Sequence, residues 1–155
     1  MKFWTGRAVL AALAWTLIGV VFALPNLSTG RAWRPSLLGS LAQWWSWGLV
    51  TPLILAFDRR LPFSDAQLPR RIAAHLLPSL LFTAAYIYVF AAVLALLRLQ
   101  GWNVLRHAAF LGNALRGMFL WSVLVYWLIF GVSQAFQYRD RYLSSELRME
   151  RLERR

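Results

Sequence analysis

Four long apolar stretches contain no acidic or basic side chain: Ala8–Leu24, Ser36–Phe57, Ile72–Leu97 and Gly117–Gln137. The first is slightly shorter than the roughly 20 residues that cross a hydrocarbon core, and the others reach or exceed that length. One Asp, Lys or Arg at a helix centre costs about 2.5–3.5 kcal/mol on insertion, whereas each Leu, Ile, Phe or Val returns only about 0.3–0.6 kcal/mol. Keeping every charge in the connections is therefore what lets such stretches insert. The pattern predicts an all-α fold, a four-helix transmembrane bundle with spans at about 8–24, 36–57, 72–97 and 117–137.

The remaining composition fits that class, with 59% hydrophobic and 15% aromatic residues. There is no cysteine, which excludes disulfides and thiolate chemistry. A net charge of +11 would suggest nucleic acid if it coated a soluble surface, but here the basic residues flank apolar spans, so the expected partner is the lipid bilayer and no direct nucleic acid. Twelve of the 17 lie on one side: Lys2, Arg7, Arg59, Arg60, Arg70, Arg71, Arg139, Arg141, Arg148, Arg151, Arg154 and Arg155. The other side holds Arg31, Arg34, Arg98, Arg106 and Arg116. By the positive-inside rule both termini are cytoplasmic, in a multi-pass protein of the inner (cytoplasmic) membrane. The first apolar run exceeds a signal-peptide core and Pro25 crowds the Val21-Phe22-Ala23 site, so the span is expected to remain uncleaved.

The connections are short. Pro25–Pro35 reads as a tight hairpin and Asp58–Arg71 as a link held at anionic headgroups. Arg98–Arg116 is either a plain loop or an amphipathic interfacial helix, with Trp102, Leu105, Ala109 and Leu115 on one face and Asn103, Arg106 and His107 on another. From Tyr138 onward the composition turns to Arg, Glu, Ser and Leu, and the helix is expected to continue out of the membrane as a linker over 138–155. Tyr138, Tyr142, Ser145, Met149 and Leu152 follow heptad spacing, the seam of a dimeric coiled coil. No Gly, Asn or Pro stops it, so a further domain is expected downstream.

The chemical inventory is sparse. The six acidic residues all fall outside the spans, and no phosphate loop or metal-ligand pattern is present, so no catalytic residue is assigned and no cofactor or metal is expected in this chain. His75 reads as an interfacial imidazole bonding to headgroups or a backbone carbonyl. His107 is a candidate proton sensor or an ordinary loop residue, since histidine changes charge in the physiological range. Trp44, Trp45 and Trp47 either line a hydrophobic ligand pocket or pack between helices; with Arg106 and His107 they are the ligand-binding candidates. Thr16, Gln43, Ser46, Thr51, Ser79, Thr83, Ser122, Ser133 and Gln134 are expected to satisfy one another between helices. Pro52 and Pro78 are hinges or simply tolerated prolines. Uncharged spans argue against a transporter or channel.

The strings Trp47-Gly-Leu-Val-Thr51-Pro52-Leu-Ile-Leu, Arg59-Arg60-Leu-Pro62, Arg70-Arg71 and His75-Leu-Leu, with Tyr126-Trp127 and the tail Tyr138–Leu147, resemble the amino-terminal membrane region of LytS-type sensor histidine kinases. The resemblance implies an input module, residues 1–137, whose last helix runs into a dimeric cytoplasmic kinase core using ATP and Mg and acting on a response regulator. None of the kinase motifs lies in these 155 residues, and neither histidine carries the phosphoacceptor box. The alternative is a self-standing four-helix membrane protein serving as an assembly or interaction subunit.

Overall fold

A computed structural model describes the backbone of residues 2–60 and 68–153, and their side chains apart from 2–5, Arg7, Leu68, Arg71, 140–141 and 145–153. Four helices follow in order: α1 (Lys2–Ser28), α2 (Trp33–Arg60), α3 (Leu68–Leu96) and α4 (Ala108–Glu153), with a 3₁₀ turn, Trp102–Arg106, before α4. No strand occurs among the described residues. The helices alternate in direction. One end of the bundle, the hairpin end, holds the α1–α2 turn and the 3₁₀ turn; the other, the tail end, holds the start of α1, the end of α2, the start of α3 and the exit of α4.

By length and composition α1, α3 and α4 can cross a membrane, over Ala8–Ser28, Ile72–Leu96 and Ala108–Ser144. The α2 helix falls short of that hydropathy mark. Its 28 residues would still extend about 42 Å, more than the roughly 30 Å of a hydrocarbon core. Its weaker hydropathy has a positional cause. The other three helices all pack on α2, so Trp44, Ser46 and Trp47 are buried against protein and Trp45 bonds to α1. The buried residues of α2 include Trp47, Val50, Ile54 and Asp58, one stripe at helical spacing.

Helix boundaries depart from the hydrophobic runs. The α1 helix continues through Pro25 to Ser28, and the turn after it passes through Gly30, whose φ of +74° is the left-handed conformation that favours glycine. Ser28 Oγ donates to the Pro25 carbonyl and Thr29 Oγ1 to that of Asn26, each at 2.9 Å, satisfying carbonyls that the helix end leaves over. The α3 helix closes with Leu99 N donating to Leu94 O at 2.9 Å across Arg98, which adopts φ 56°. The stretch expected to be either a loop or an interfacial helix divides: residues 98–107 are a connection that contains the 3₁₀ turn, and residues 108–116 are the first turns of α4. Val104 packs that turn under Ala91 and Ala95.

Among the described residues, the α1 backbone approaches α2 alone. The two meet closely because both carry glycine at the crossing: a Cβ on Gly19 would lie 2.9 Å from Leu41 Cδ2 and 3.3 Å from its Cα, and one on Gly48 would lie 2.9 Å from Trp15 Cδ1. Ser40 Oγ donates to the Gly19 carbonyl at 2.7 Å, and Trp45 Nε1 to Thr16 Oγ1 at 3.0 Å. Gly19→Leu should therefore loosen α1 specifically, lowering stability by about 1–3 kcal/mol. Disulfide trapping between cysteines introduced on α1 and α2 should become slower and less selective, while trapping between α3 and α4 keeps its parent rate.

A buried carboxylate, imidazole and phenol

The core that holds α2, α3 and α4 together comprises Trp44, Trp47, Val50 and Ile54 from α2, Tyr86 and Ile87 from α3, and Val125 and Tyr126 from α4. Towards the tail end its character changes. Asp58 stands four residues after Ile54 and eleven after Trp47, so the periodicity that buries those side chains buries the carboxylate as well. His75 begins a stripe on α3 that continues through Ser79 and Thr83, and Tyr126 begins one on α4 that continues through Phe130 and Gln134; all six are buried. Asp58 is 1% exposed, and His75 and Tyr126 are 0% exposed.

The polar atoms join in a chain. His75 Nε2 lies 3.3 Å from Asp58 Oδ1, and His75 Nδ1 lies 2.5 Å from the Tyr126 hydroxyl. On the other carboxylate oxygen, Gln134 Nε2 donates to Oδ2 at 3.0 Å and Gln137 Nε2 at 3.1 Å. Gln137 Nε2 also donates to Ser133 Oγ at 3.2 Å. An ionised carboxylate only accepts, so its contact with His75 requires a proton on Nε2. In the neutral ring Nδ1 is then an acceptor, and Tyr126 O–H must donate to it. The chain has a direction: phenol to imidazole to carboxylate, with two amides of α4 holding the far oxygen.

Aromatic rings enclose the imidazole. Phe130 lies 4.2 Å from it between ring centroids, Phe57 meets it edge-on at 5.4 Å, and Trp127 lies at 6.4 Å. Such walls keep water away and strengthen the hydrogen bonds inside them, and they also raise the cost of leaving any one unmade. Buried and hydrogen-bonded across three helices, this triad can move or store a proton and ties the helices together.

The structure corrects several expectations. Asp58 is neither a loop residue nor outside the bundle, and His75 bonds to side chains of two other helices rather than to headgroups. The argument against transport from uncharged spans therefore lapses. Most intramembrane hydroxyls do not satisfy one another: Thr16, Ser46, Thr51 and Ser79 donate to carbonyls of their own helices. Two of the expected residues do bond between helices: Thr16 also accepts from Trp45, and Gln134 donates to the carboxylate that the linear boundary had excluded.

The ligand candidates do not converge. Trp44 and Trp47 are core residues, while Trp45 faces α1 and lines an apolar groove of about 630 Å³ with Ala12, Trp15, Gly48, Pro52 and Leu96. Arg106 is exposed at the end of the 3₁₀ turn. His107 lines a separate cleft of about 380 Å³ with Gln100, Asn103 and Asn113. A third cleft of about 490 Å³, at the α1–α2 turn, includes Asn26, Arg31 and Gln43. On the tail, Tyr138 and Tyr142 are exposed on α4. The side chains of Ser145, Met149 and Leu152 lie outside the described residues, although the helix continues through all three.

Asp58, Tyr126 and Gln137 are the site residues that sequence reasoning missed. The available signal was the helical register of Asp58 with Trp47 and Ile54. No protein-family model, curated protein or solved structure matches the chain.

Proposed function

We propose that the chain is the membrane-embedded input region of a two-component sensor histidine kinase of the LytS type, with α4 as its output element. The observation that carries this reading is α4 itself: one unbroken helix of 46 residues, Ala108–Glu153, that packs in the bundle and continues past it. At about 1.5 Å per residue it is about 69 Å long, more than twice a hydrocarbon core. Where it leaves the bundle, Gln134 and Gln137 fasten it to Asp58 of α2, which also contacts His75 of α3. A change in packing among the other helices thus has a direct mechanical route to α4.

In this reading both termini are cytoplasmic in the inner membrane, and two copies pair in parallel along Tyr138, Tyr142, Ser145, Met149 and Leu152. The ATP-dependent core and its response regulator lie downstream of the linker. A stimulus acts by favouring one packing of the bundle over another; equal affinity for both would change nothing.

The test is helical phase. Residues 1–155 are fused in register to a dimeric histidine-kinase core in lipid nanodiscs, and autophosphorylation is measured with zero, two or seven residues inserted at the junction. Two residues turn the following helix by about 200°, whereas seven complete about two turns. Activity should change several-fold with two and return to the parent level with seven. Activity that ignores phase, or that falls steadily with insert length, overturns α4 as a transmitting rod and leaves the interaction-subunit reading in its place.

A further inference from the structure

We propose that His75 is a proton-binding site whose occupancy decides how firmly Asp58 holds the output helix. Among the described residues, the titratable groups that face the imidazole are Asp58 from α2 and Tyr126 from α4; the other ring neighbours are Phe57, Trp127 and Phe130, and α1 contributes none. The carboxylate end of the chain lies nearest the tail end of the bundle, beside half-buried Gln137 and one residue before exposed Arg59.

The proton balance is simple. Neutral His75, protonated on Nε2, carries its in-plane lone pair on Nδ1, and that lone pair accepts from Tyr126. An arriving proton takes that position. Tyr126 then turns its O–H away and accepts from Nδ1–H through an oxygen lone pair, so both hydrogen bonds of the ring survive. What changes is the other side. The Nε2–H becomes part of an imidazolium facing a carboxylate, and such charge-assisted bonds shorten to about 2.7–2.9 Å. The present separation of 3.3 Å leaves room for that contraction. Closing it draws the carboxylate towards α3 and away from the two α4 amides at 3.0 and 3.1 Å. Proton uptake therefore transfers Asp58 from α4 to α3 and releases the exit of the output helix. The proton site stands without the kinase reading; only the consequence for a kinase rests on it.

The chain has two histidines and no cysteine, which makes the test direct. A His107→Gln variant, ¹⁵N-labelled at histidine in nanodiscs of phosphatidylethanolamine and phosphatidylglycerol, reports His75 alone between about pH 8 and about pH 5, the range in which histidine ordinarily changes charge. Nitroxides at Leu53→Cys on α2 and Phe136→Cys on α4, both exposed positions, report the exit of α4 in the same background. The expected result is a neutral Nε2–H tautomer at the alkaline end, conversion to imidazolium on acidification, and a shift in the α2–α4 distance distribution with the same midpoint. Tyr126→Phe should move that midpoint. Gln134→Met with Gln137→Met should leave the titration in place and abolish the distance shift.

A ring that keeps one protonation state throughout overturns the proposal. So does a titration with no change in distance, or a distance shift that persists in the double-methionine variant. A coupled titration alongside a fusion indifferent to helical phase would keep the proton site and remove the kinase reading.

Discussion

His75→Ala should destabilise the bundle by about 3 kcal/mol, because it leaves two buried polar groups each short of a hydrogen bond. Two groups lose a partner together. Asp58, 1% exposed, loses the donor at Oδ1, and the Tyr126 hydroxyl loses the acceptor at Nδ1. A buried polar group left unsatisfied costs about 1–3 kcal/mol. The effect stays at the low end because Gln134 and Gln137 still hold the second carboxylate oxygen. Asp58→Asn keeps the shape but turns one acceptor into a donor among groups that already donate, and about 2 kcal/mol is expected. Unfolding in mixed micelles with increasing dodecyl sulfate, followed by helical ellipticity, measures both. The double variant should be less destabilised than the sum of the single ones by about 1 kcal/mol or more, because the two side chains touch. An alanine variant within about 0.5 kcal/mol of the parent would mean that the three helices do not enclose the chain.

The hydrophobic runs revealed the helices because insertion excludes charge, and that rule operates along the sequence. The site was illegible because its rule operates around the helix. A boundary drawn at the first charged residue puts Asp58 outside the span, yet its register with Ile54 and Trp47 brings it inward. His75, beside the Arg70-Arg71 pair, reads as interfacial until Tyr126, 51 residues later, is placed against it. The 76-residue separation of Gln134 from Asp58 is equally invisible to local pattern. The tryptophans divide for a similar reason. Trp44 and Trp47, three apart, share the core face of α2, while Trp45 turns to Thr16 of α1. A list of three indoles does not contain that division; a helical wheel with its neighbours does.

The indoles give the second large expected effect. Trp47 is 0% exposed and stacks on Tyr86 with ring centroids 4.3 Å apart and planes 15° from parallel, between helices that α2 must hold together. In a water-soluble protein, truncating such a side chain to alanine costs about 3–5 kcal/mol, part of it lost transfer from water and part the cavity left behind. In lipid the transfer part shrinks, because acyl chains are as apolar as the core, but the lost packing remains. Trp47→Ala is therefore expected near 3 kcal/mol rather than 5. Trp45→Ala, at a half-buried position, loses one hydrogen bond and part of the α1 contact, for about 1 kcal/mol. Trp33→Ala, at a position 67% exposed, should change stability by less than about 0.5 kcal/mol. The order of the three, measured in the same micelle titration, is the informative quantity. Equal losses at Trp45 and Trp47 would place both indoles in one pocket, whereas the ordered result assigns Trp47 to the joint between α2, α3 and α4 and Trp45 to the seam with α1.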